Sequence, residues 1–290
     1  MERKITAFYK FIKIQESEIN RVQSDLLKAG ELASLTGLII LASEGVNGTI
    51  SSTPLELENF KLSLAQILKC SNIQFKNSWA EKNPFRRFKV KIRPEIVTIG
   101  DPNLHPGEGK NNHLTPTEWN NVIENEDVIL IDTRNQYETE LGKFNGALDP
   151  NLNTFQDFAN FVDAANLPKD KKILMYCTGG IRCEKAILEM QRKGYENVFQ
   201  LEGGILKYIE EYPNKYYQGE CFVFDHRVSV DQDLTPSKKF HLCAHCGNPG
   251  DQIIPCQNCS SPSKICTACS NSPHLLSCSK NCSYHLNLII

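Results

Sequence analysis

The residues best equipped for chemistry lie together in Cys177-Thr178-Gly179-Gly180-Ile181-Arg182-Cys183-Glu184. A cysteine attacks as its thiolate, so its surroundings must favour that form. The apolar run Ile173–Tyr176, after Lys169–Lys172, reads as a short buried parallel strand. Cys183, Ile187 and Met190 then recur at helical spacing, and Gly194 falls where that helix ends. Cys177 is thus expected at the tip of a strand, in a glycine-bearing loop that opens a helix. Backbone N–H groups of Thr178, Gly179, Gly180, Ile181 and Arg182 can converge on the sulfur, and the helix N-terminus adds partial positive charge. Arg182 supplies a fixed cation or an anion-binding fork. A packed core cysteine is the plainer role, but two adjacent glycines beside Cys177 serve no packing purpose. The stretch therefore reads as a reactive-cysteine loop with Cys177 as nucleophile. Cys183, on one face with Ile187 and Met190, is assigned to the core and not to a resolving role.

A second chemical cluster closes the chain. Of twelve cysteines, eight lie in the last 48 residues, as Cys243/Cys246, Cys256/Cys259, Cys266/Cys269 and Cys278/Cys282. In a reducing compartment such clustering means metal, not disulfides. Eight thiolates suit two tetrahedral sites of four sulfurs, and soft ligands select zinc or iron–sulfur over hard cations. Zinc in a structural role is the reading, since four sulfurs leave no position for water. Sequential and crossed pairing both fit the spacing, and His241, His245, His274 or His285 can replace a sulfur. The segment has few large apolar residues, so burial alone would scarcely fold it.

The elements that must carry these groups follow from the periodicity. Residues 5–14 read as a strand, Ser17 as the cap of a helix ending near Gly30, and Leu38–Ala42 and Thr49–Ser51 as two further strands. Between them Ser43–Gly48 is expected to make a tight turn, with Asn47-Gly48 supplying positive φ. Pro54 opens a second helix, and Phe85–Ile92 is expected as the fourth strand. The order β-α-β-β-α-β predicts a ferredoxin-like α+β domain over residues 1–98. Around its last strand, Arg87, Lys89, Lys91 and Arg93 alternate with Phe88, Val90 and Ile92, which puts four cations on one face. That pattern suits a solvated edge or a nucleic-acid phosphate partner.

Gly100–Gly109, with the solvated His105, is a linker by composition. Strands then alternate with helices over 113–217, which predicts a parallel α/β sheet with helices on both faces. Asp132 and Arg134 fall at the C-terminal end of a strand, the edge where such sheets bind ligands. They are supporting site residues or a structural ion pair. Residues 218–240 connect this domain to the tail at 241–290. Within them Glu220–Val230 reads as one strand, with Asp225, His226 and Arg227 available to face the active loop.

Composition limits the classes further. Residues 1–95 hold 15 Lys/Arg against 10 Asp/Glu, a net of +5, while residues 96–240 hold 15 against 23, a net of −8. A polyanion would be gripped by the first part. No apolar run approaches the ~18 residues of a membrane span, and residues 1–20 carry charges throughout, without a secretory core. A cytoplasmic protein is expected. Nothing reads as a flavin, nicotinamide or haem fingerprint, and oligomeric state is open.

Strand, Cys-x-x-x-x-Arg and helix together resemble the active loop of a rhodanese domain. Val128–Arg134 followed by Tyr137-Glu138 resembles that family's Asp-x-Arg strand end, and Val198–Ile205 its last strand and Gly-Gly turn. The loop CTGGIRCEK, with domains on both sides, is similar to the tRNA uridine(34) hydroxylases of the TrhO type. The resemblance implies an oxidoreductase that hydroxylates the wobble uridine of tRNA to 5-hydroxyuridine with molecular oxygen as co-substrate. It also tips the basic strand toward tRNA phosphate. The residues alone support cysteine-based sulfur or oxidant chemistry, through a persulfide or a sulfenate. A thiosulfate or persulfide sulfurtransferase, and a non-enzymatic RNA- or protein-binding adaptor, therefore stand as alternatives.

Overall fold

The computed structural model describes residues 3–106 and 112–287, so positions 107–109 of the expected linker lie outside the described residues. The first unit runs β1 (Arg3–Phe11), α1 (Ile19–Leu32), β2 (Thr36–Ala42), β3 (Gly45–Ser52), α2 (Pro54–Leu68), β4 (Gln74–Ala80) and β5 (Phe88–Ile92). Its sheet order is β4-β1-β3-β2-β5. The first four of these strands are antiparallel neighbours in the split βαβ arrangement, and β5 joins the edge parallel to β2. The fourth ferredoxin-like strand is therefore Gln74–Ala80, not Phe85–Ile92. Its polar residues hide it from a search for apolar runs, since Phe75 alone of Gln74–Ser78 packs on the hydrophobic core.

Three local expectations change as well. Ser43 and Glu44 connect the paired residues Ala42 and Gly45, so Asn47 and Gly48 lie within β3 and make no turn. Glu18 and not Ser17 precedes α1, and no side chain caps that helix. The helix also runs on through Gly30, where a Cβ would stand 2.1 Å from the Phe88 ring. Glycine there is a packing requirement of α1 against β5, not a stop. By contrast α2 starts as expected, with Thr53 accepting from the Glu56 N–H and Pro54 in the first turn. Both helices cover one face of the sheet, where Leu26, Leu57, Phe60 and Leu64 meet Phe8, Ile39 and Ile50. The other face, carrying Ile5, Ala7, Leu38 and Ile40, looks into a cleft.

The second unit comprises β6 (His113–Leu114), α3 (Pro116–Asn125), β7 (Val128–Asp132), α4 (Gln136–Thr139), β8 (Gly142–Phe144), α5 (Phe158–Ala165), β9 (Lys172–Tyr176), α6 (Ile181–Arg192), β10 (Val198–Leu201), α7 (Gly204–Glu211) and β11 (Tyr217–Gly219). Strands β6-β10-β9-β7 form a wholly parallel sheet, and β8 pairs with β11 beside it. Alternation along β9 sends Ile173 and Met175 toward α5 and α6, where Phe158 and Ile187 lie. It sends Leu174 and Tyr176 toward α3 and α7, where Trp119 and Tyr208 lie. Helices thus cover both faces, as the alternating pattern predicts.

Residues 220–230 form a hairpin, β12 (Cys221–Phe222) with β13 (Ser229–Val230), and not one strand. Its tip reaches the first unit: Arg227 donates to Ser78 Oγ at 2.7 Å, and the His226 N–H to the Pro84 carbonyl. The tail adds the ribbons β14 (His241–Leu242) with β15 (Pro249–Gly250) and β16 (Gln252–Pro255) with β17 (Pro262–Ile265), then α8 (Thr267–Ser270) and α9 (Lys280–Asn287).

Helix α6 binds the first two units together. The Lys185 side chain is fully buried, with its ammonium 2.8 Å from a Glu44 oxygen and 2.6 Å from a Glu95 oxygen. The second Glu44 oxygen accepts from the Ile96 N–H, and Glu95 from those of Ile99 and Gly100. Glu44 sits in the β2–β3 turn and Glu95 just after β5, so one lysine holds two sequence-distant pieces against the cysteine loop. Lys185→Met should strand two buried carboxylates and destabilise the protein by about 3–5 kcal/mol. Urea unfolding measures this, and an unchanged midpoint would remove Lys185 as the lock.

Candidate active site

Cys177 follows β9 directly and α6 opens at Ile181, so the sulfur lies where the sheet edge, the loop and the helix N-terminus converge. The Gly180 N–H donates to its sulfur at 3.0 Å. Gly180 takes φ +98°, a conformation glycine adopts without strain. The loop rests on the next turn of chain: the Ile205 and Leu206 N–H groups donate to the Cys177 and Thr178 carbonyls. Gly204 makes this possible, since a Cβ there would stand 2.5 Å from the Cys177 carbonyl oxygen.

Burial works against a charged sulfur, yet the Cys177 thiol is lowered to about 5. The Cys183 thiol, the Arg182 charge and the N–H groups of Arg182 and Gly179 outweigh the burial. Cys183 is core, as its helical spacing predicts, but it does more than pack. Burial, then the neighbouring Cys177, raise its own thiol, and the Thr133 hydroxyl lies 3.5 Å from its sulfur. Arg182 does not present an open fork. It pairs with Glu138 through two contacts of 2.5 and 2.7 Å, and so stabilises the thiolate by its field. Burial opposes the Glu138 charge, but Arg182 overrides it and keeps the carboxyl below its ordinary value.

Asp132 and Arg134 form a buried ion pair. Both are fully buried, Arg134 donates twice at 2.9 and 2.7 Å to Asp132, and it also reaches the Gly142 carbonyl at 2.6 Å. Neither lines the cleft. Burial forbids their direct contact with substrate, and their pairing fixes the loop that carries Glu138.

The cleft, with a volume of ≈ 460 Å³, lies between the open face of the first sheet, the cysteine loop, α7 and the 220–230 hairpin. Cys177, Thr178 and Gly179 line it from one side, and Tyr9, Lys76 and Arg93 from the other. Lys89 and Lys91 pair in register with Leu38 and Ile40, two residues of the cleft face, so the basic stripe flanks this opening. Arg87 and Arg93 are exposed, and Lys89 is lowered by Arg87 beside it, then by Lys91. Such like-charge crowding is relieved by an anion. Asp225 and Arg227 line the cleft as one ion pair at 2.5 Å, whereas His105 and His226 do not line it.

Sequence reasoning missed four of its neighbours. Tyr9 donates to Glu184 at 2.9 Å, and Glu184 also meets His113 at 3.0 Å and Gln200 at 3.1 Å. Burial and Glu184 raise the Tyr9 hydroxyl well above its usual value, so it stays a donor. Lys76 is half-buried over the Tyr9 ring, 4.9 Å from its centroid, and burial lowers it to about 8. Lys207 reaches from α7 and pairs with Glu202 at 2.6 Å. Only Glu184 stood in a recognisable motif, since the others come from strands and helices read as plain framework.

In the tail the pairing is crossed. Cys243, Cys246, Cys266 and Cys269 form one group and Cys256, Cys259, Cys278 and Cys282 the other, with all sulfurs of a group within 4.8 Å of one another. Neighbouring sulfurs stand 3.5 Å (Cys246–Cys266), 3.6 Å (Cys259–Cys278) and 3.8 Å (Cys259–Cys282) apart. A tetrahedron with metal–sulfur bonds of about 2.3 Å has an edge of about 3.8 Å, so both groups fit a four-sulfur metal site. Histidine has no place in either group: His245 meets the Ser277 carbonyl and His274 meets Asn287.

Residues 3–96 match a family model described as a UPF0176 acylphosphatase like domain. Residues 115–211 match a rhodanese-like domain and residues 218–283 a rhodanase C-terminal domain. The chain is 50% identical over 285 residues to a tRNA uridine(34) hydroxylase of Bdellovibrio bacteriovorus, covering 97% of this chain and 81% of that protein. It is 42% identical over 279 residues to one of Prochlorococcus marinus, covering 92% and 86%. With one of a Picosynechococcus species it shares 41% identity over 251 residues, covering 85% and 83%.

Proposed function

The chain belongs to the tRNA uridine(34) hydroxylase family and hydroxylates the wobble uridine of tRNA, and we propose that this reaction runs in the cleft above Cys177. Cys177 is the nucleophile, and the loop from Thr178 to Arg182 holds its anionic form. The observation that carries this is the Gly180 N–H at 3.0 Å from a sulfur that also lines the cleft between the first two units. The product is 5-hydroxyuridine and molecular oxygen the co-substrate. The domain division at 1–98, 113–217, 218–240 and 241–290 accompanies this reading, supported by separate hydrophobic clusters in the three larger parts. Zinc is the metal of the two tail sites, where it would hold the fold, since each group offers four sulfurs. A cytoplasmic location suits twelve cysteines without a disulfide.

In this arrangement the chain's own groups do distinct work. Arg182 and the loop N–H groups keep the sulfur charged, with the Cys183 thiol favouring the same form. The stripe Arg87, Lys89, Lys91 and Arg93 takes tRNA phosphates beside the opening, so that the anticodon base enters over the sulfur. Nucleoside analysis of tRNA from cells lacking the gene tests the reaction. Loss of 5-hydroxyuridine, restored by the wild type and not by Cys177→Ser, is expected, and loss of a thiolated base instead would favour sulfur transfer.

Changing both Lys89 and Lys91 to alanine should weaken tRNA binding equally for all tRNA sequences, because phosphate contacts position without reading bases. The slope of log affinity against log salt should become shallower by roughly 1.5–2 for the pair. Filter binding over a salt series measures it. An unchanged slope would reduce the stripe to a solvated edge.

A further inference from the structure

We propose that Lys76 is a second catalytic residue of the cleft, an electrophile that takes up the charge on uracil O4 when the Cys177 thiolate adds to C6 of the same ring. This deepens the proposed function and rests on the wobble uridine entering the cleft. The cations around the cleft sort sharply by partner. Arg182 is taken by Glu138, Arg227 by Asp225, and Lys207 by Glu202. Arg93 is exposed and donates to the Ile92 carbonyl. Lys76 meets no carboxylate in an ion pair among the described residues, and its nitrogen lies over the Tyr9 ring. Its stem passes 4.0 Å from the place of a Cβ on Gly179, two residues after the nucleophile. Burial pulls its ammonium down, and the charge of Cys177 is the largest influence holding it up. An anionic sulfur and an uncommitted cation therefore meet from two domains across the space a base would fill.

The chemistry of that pairing is specific to uracil. C5 of uridine is a weak nucleophile until a thiolate adds to C6. The S–C6 bond forms, the C5=C6 π pair moves to C5, and its charge is delocalised onto O4. A cation at O4 stabilises this enolate, in the manner of donors aimed at developing negative charge. Protonation of C5, followed by loss of the original C5 hydrogen and expulsion of the thiolate, regenerates uridine with a solvent hydrogen. Addition and reversal consume no oxidant and no reductant. The activated carbon is the one hydroxylated under the proposed function. Phe224, 59% exposed on the cleft wall with Arg182 5.8 Å from its ring, offers the base a stacking surface.

The test uses the full-length protein and a tRNA transcript carrying 5-deuterated uridine. Deuterium at position 34 is read by mass spectrometry of the ribonuclease fragment, without oxygen in one arm and with oxygen in the other. The wild type should wash out deuterium anaerobically, and Cys177→Ser should stay at background. Lys76→Met should slow washout roughly 10²-fold at saturating tRNA, with part of the rate recovered in Lys76→Arg. Formation of 5-hydroxyuridine with oxygen, but no anaerobic washout, would overturn the addition. A Lys76→Met deficit that vanishes at saturating tRNA would overturn the role of Lys76, leaving it a phosphate holder. Washout by a protein that forms no 5-hydroxyuridine would uphold the addition and overturn the hydroxylation reading instead.

Discussion

Cys177→Ser is expected to fold like the wild type and to form no detectable 5-hydroxyuridine. The swap is nearly isosteric, and a serine oxygen can still accept the Gly180 N–H that now reaches sulfur at 3.0 Å. Nothing else in the core need move. What is lost is ionisation: a serine hydroxyl stays neutral in a cradle built to lower a thiol to about 5. The same value sets a pH dependence whose sign follows from the thiolate being the deprotonated form. Above about 5 the sulfur is charged, so alkylation by iodoacetamide should be nearly flat from pH 8 to 6 and fall to half near 5. A cysteine of ordinary pKa near 8.5 would be only a few per cent thiolate at pH 7, about thirtyfold less. Arg182→Met should move the inflection upward, since the charge that opposes burial is gone. Rates that follow an ordinary thiol in the wild type would refute the activated sulfur, and a Cys177→Ser protein with normal turnover would refute its role.

The second large effect concerns the tail. Stripping metal with a chelator should melt residues 241–287 while the first two units still unfold cooperatively. The tail's buried cluster consists of Ile265 and three cysteines, so little but the sulfurs' bonds to metal opposes chain entropy. Structural zinc sites contribute about 10–16 kcal/mol to folding, far more than that cluster can supply. Elemental analysis should find two zinc ions per chain, and Cys266→Ser or Cys259→Ser should each remove one. Because the pairing is crossed, Cys266→Ser frees cysteines on both sides of the β16–β17 ribbon, and Cys259→Ser frees Cys256 in its turn together with Cys278 and Cys282 beyond it. A tail that keeps its structure without metal would end this account.

The cysteine loop was legible in the sequence because its determinants are local. Adjacent glycines, an apolar strand before them and a helical period after them all lie within some twenty residues of Cys177. The alternation of four cations around β5 was legible for the same reason, since period two holds in any strand. That those cations flank the cleft was not. It depends on β5 joining β2 in parallel, a partner some fifty residues earlier. β4 stayed hidden because its pairing with β1, and not apolar content, makes it a strand. The tail's eight ligands could be counted from spacing, yet crossed pairing arises only when the ribbons fold back on one another. Asp132 and Arg134 stood at the right sheet edge, and packing buries them in one ion pair that does not line the cleft. Tyr9 and Lys76 carried no signal, and Lys185 stood in the quoted loop without a stated role. Their placement comes from the first unit docking on the second, which puts a buried lysine between two carboxylates and brings Lys76, without an ion pair among the described residues, to the cleft that Cys177 lines. Local sequence determined how Cys177 is cradled, because backbone geometry and ionisation are set by near neighbours. Tertiary structure decided what faces that group, because charges and walls from distant segments meet only when separate hydrophobic faces are buried against each other.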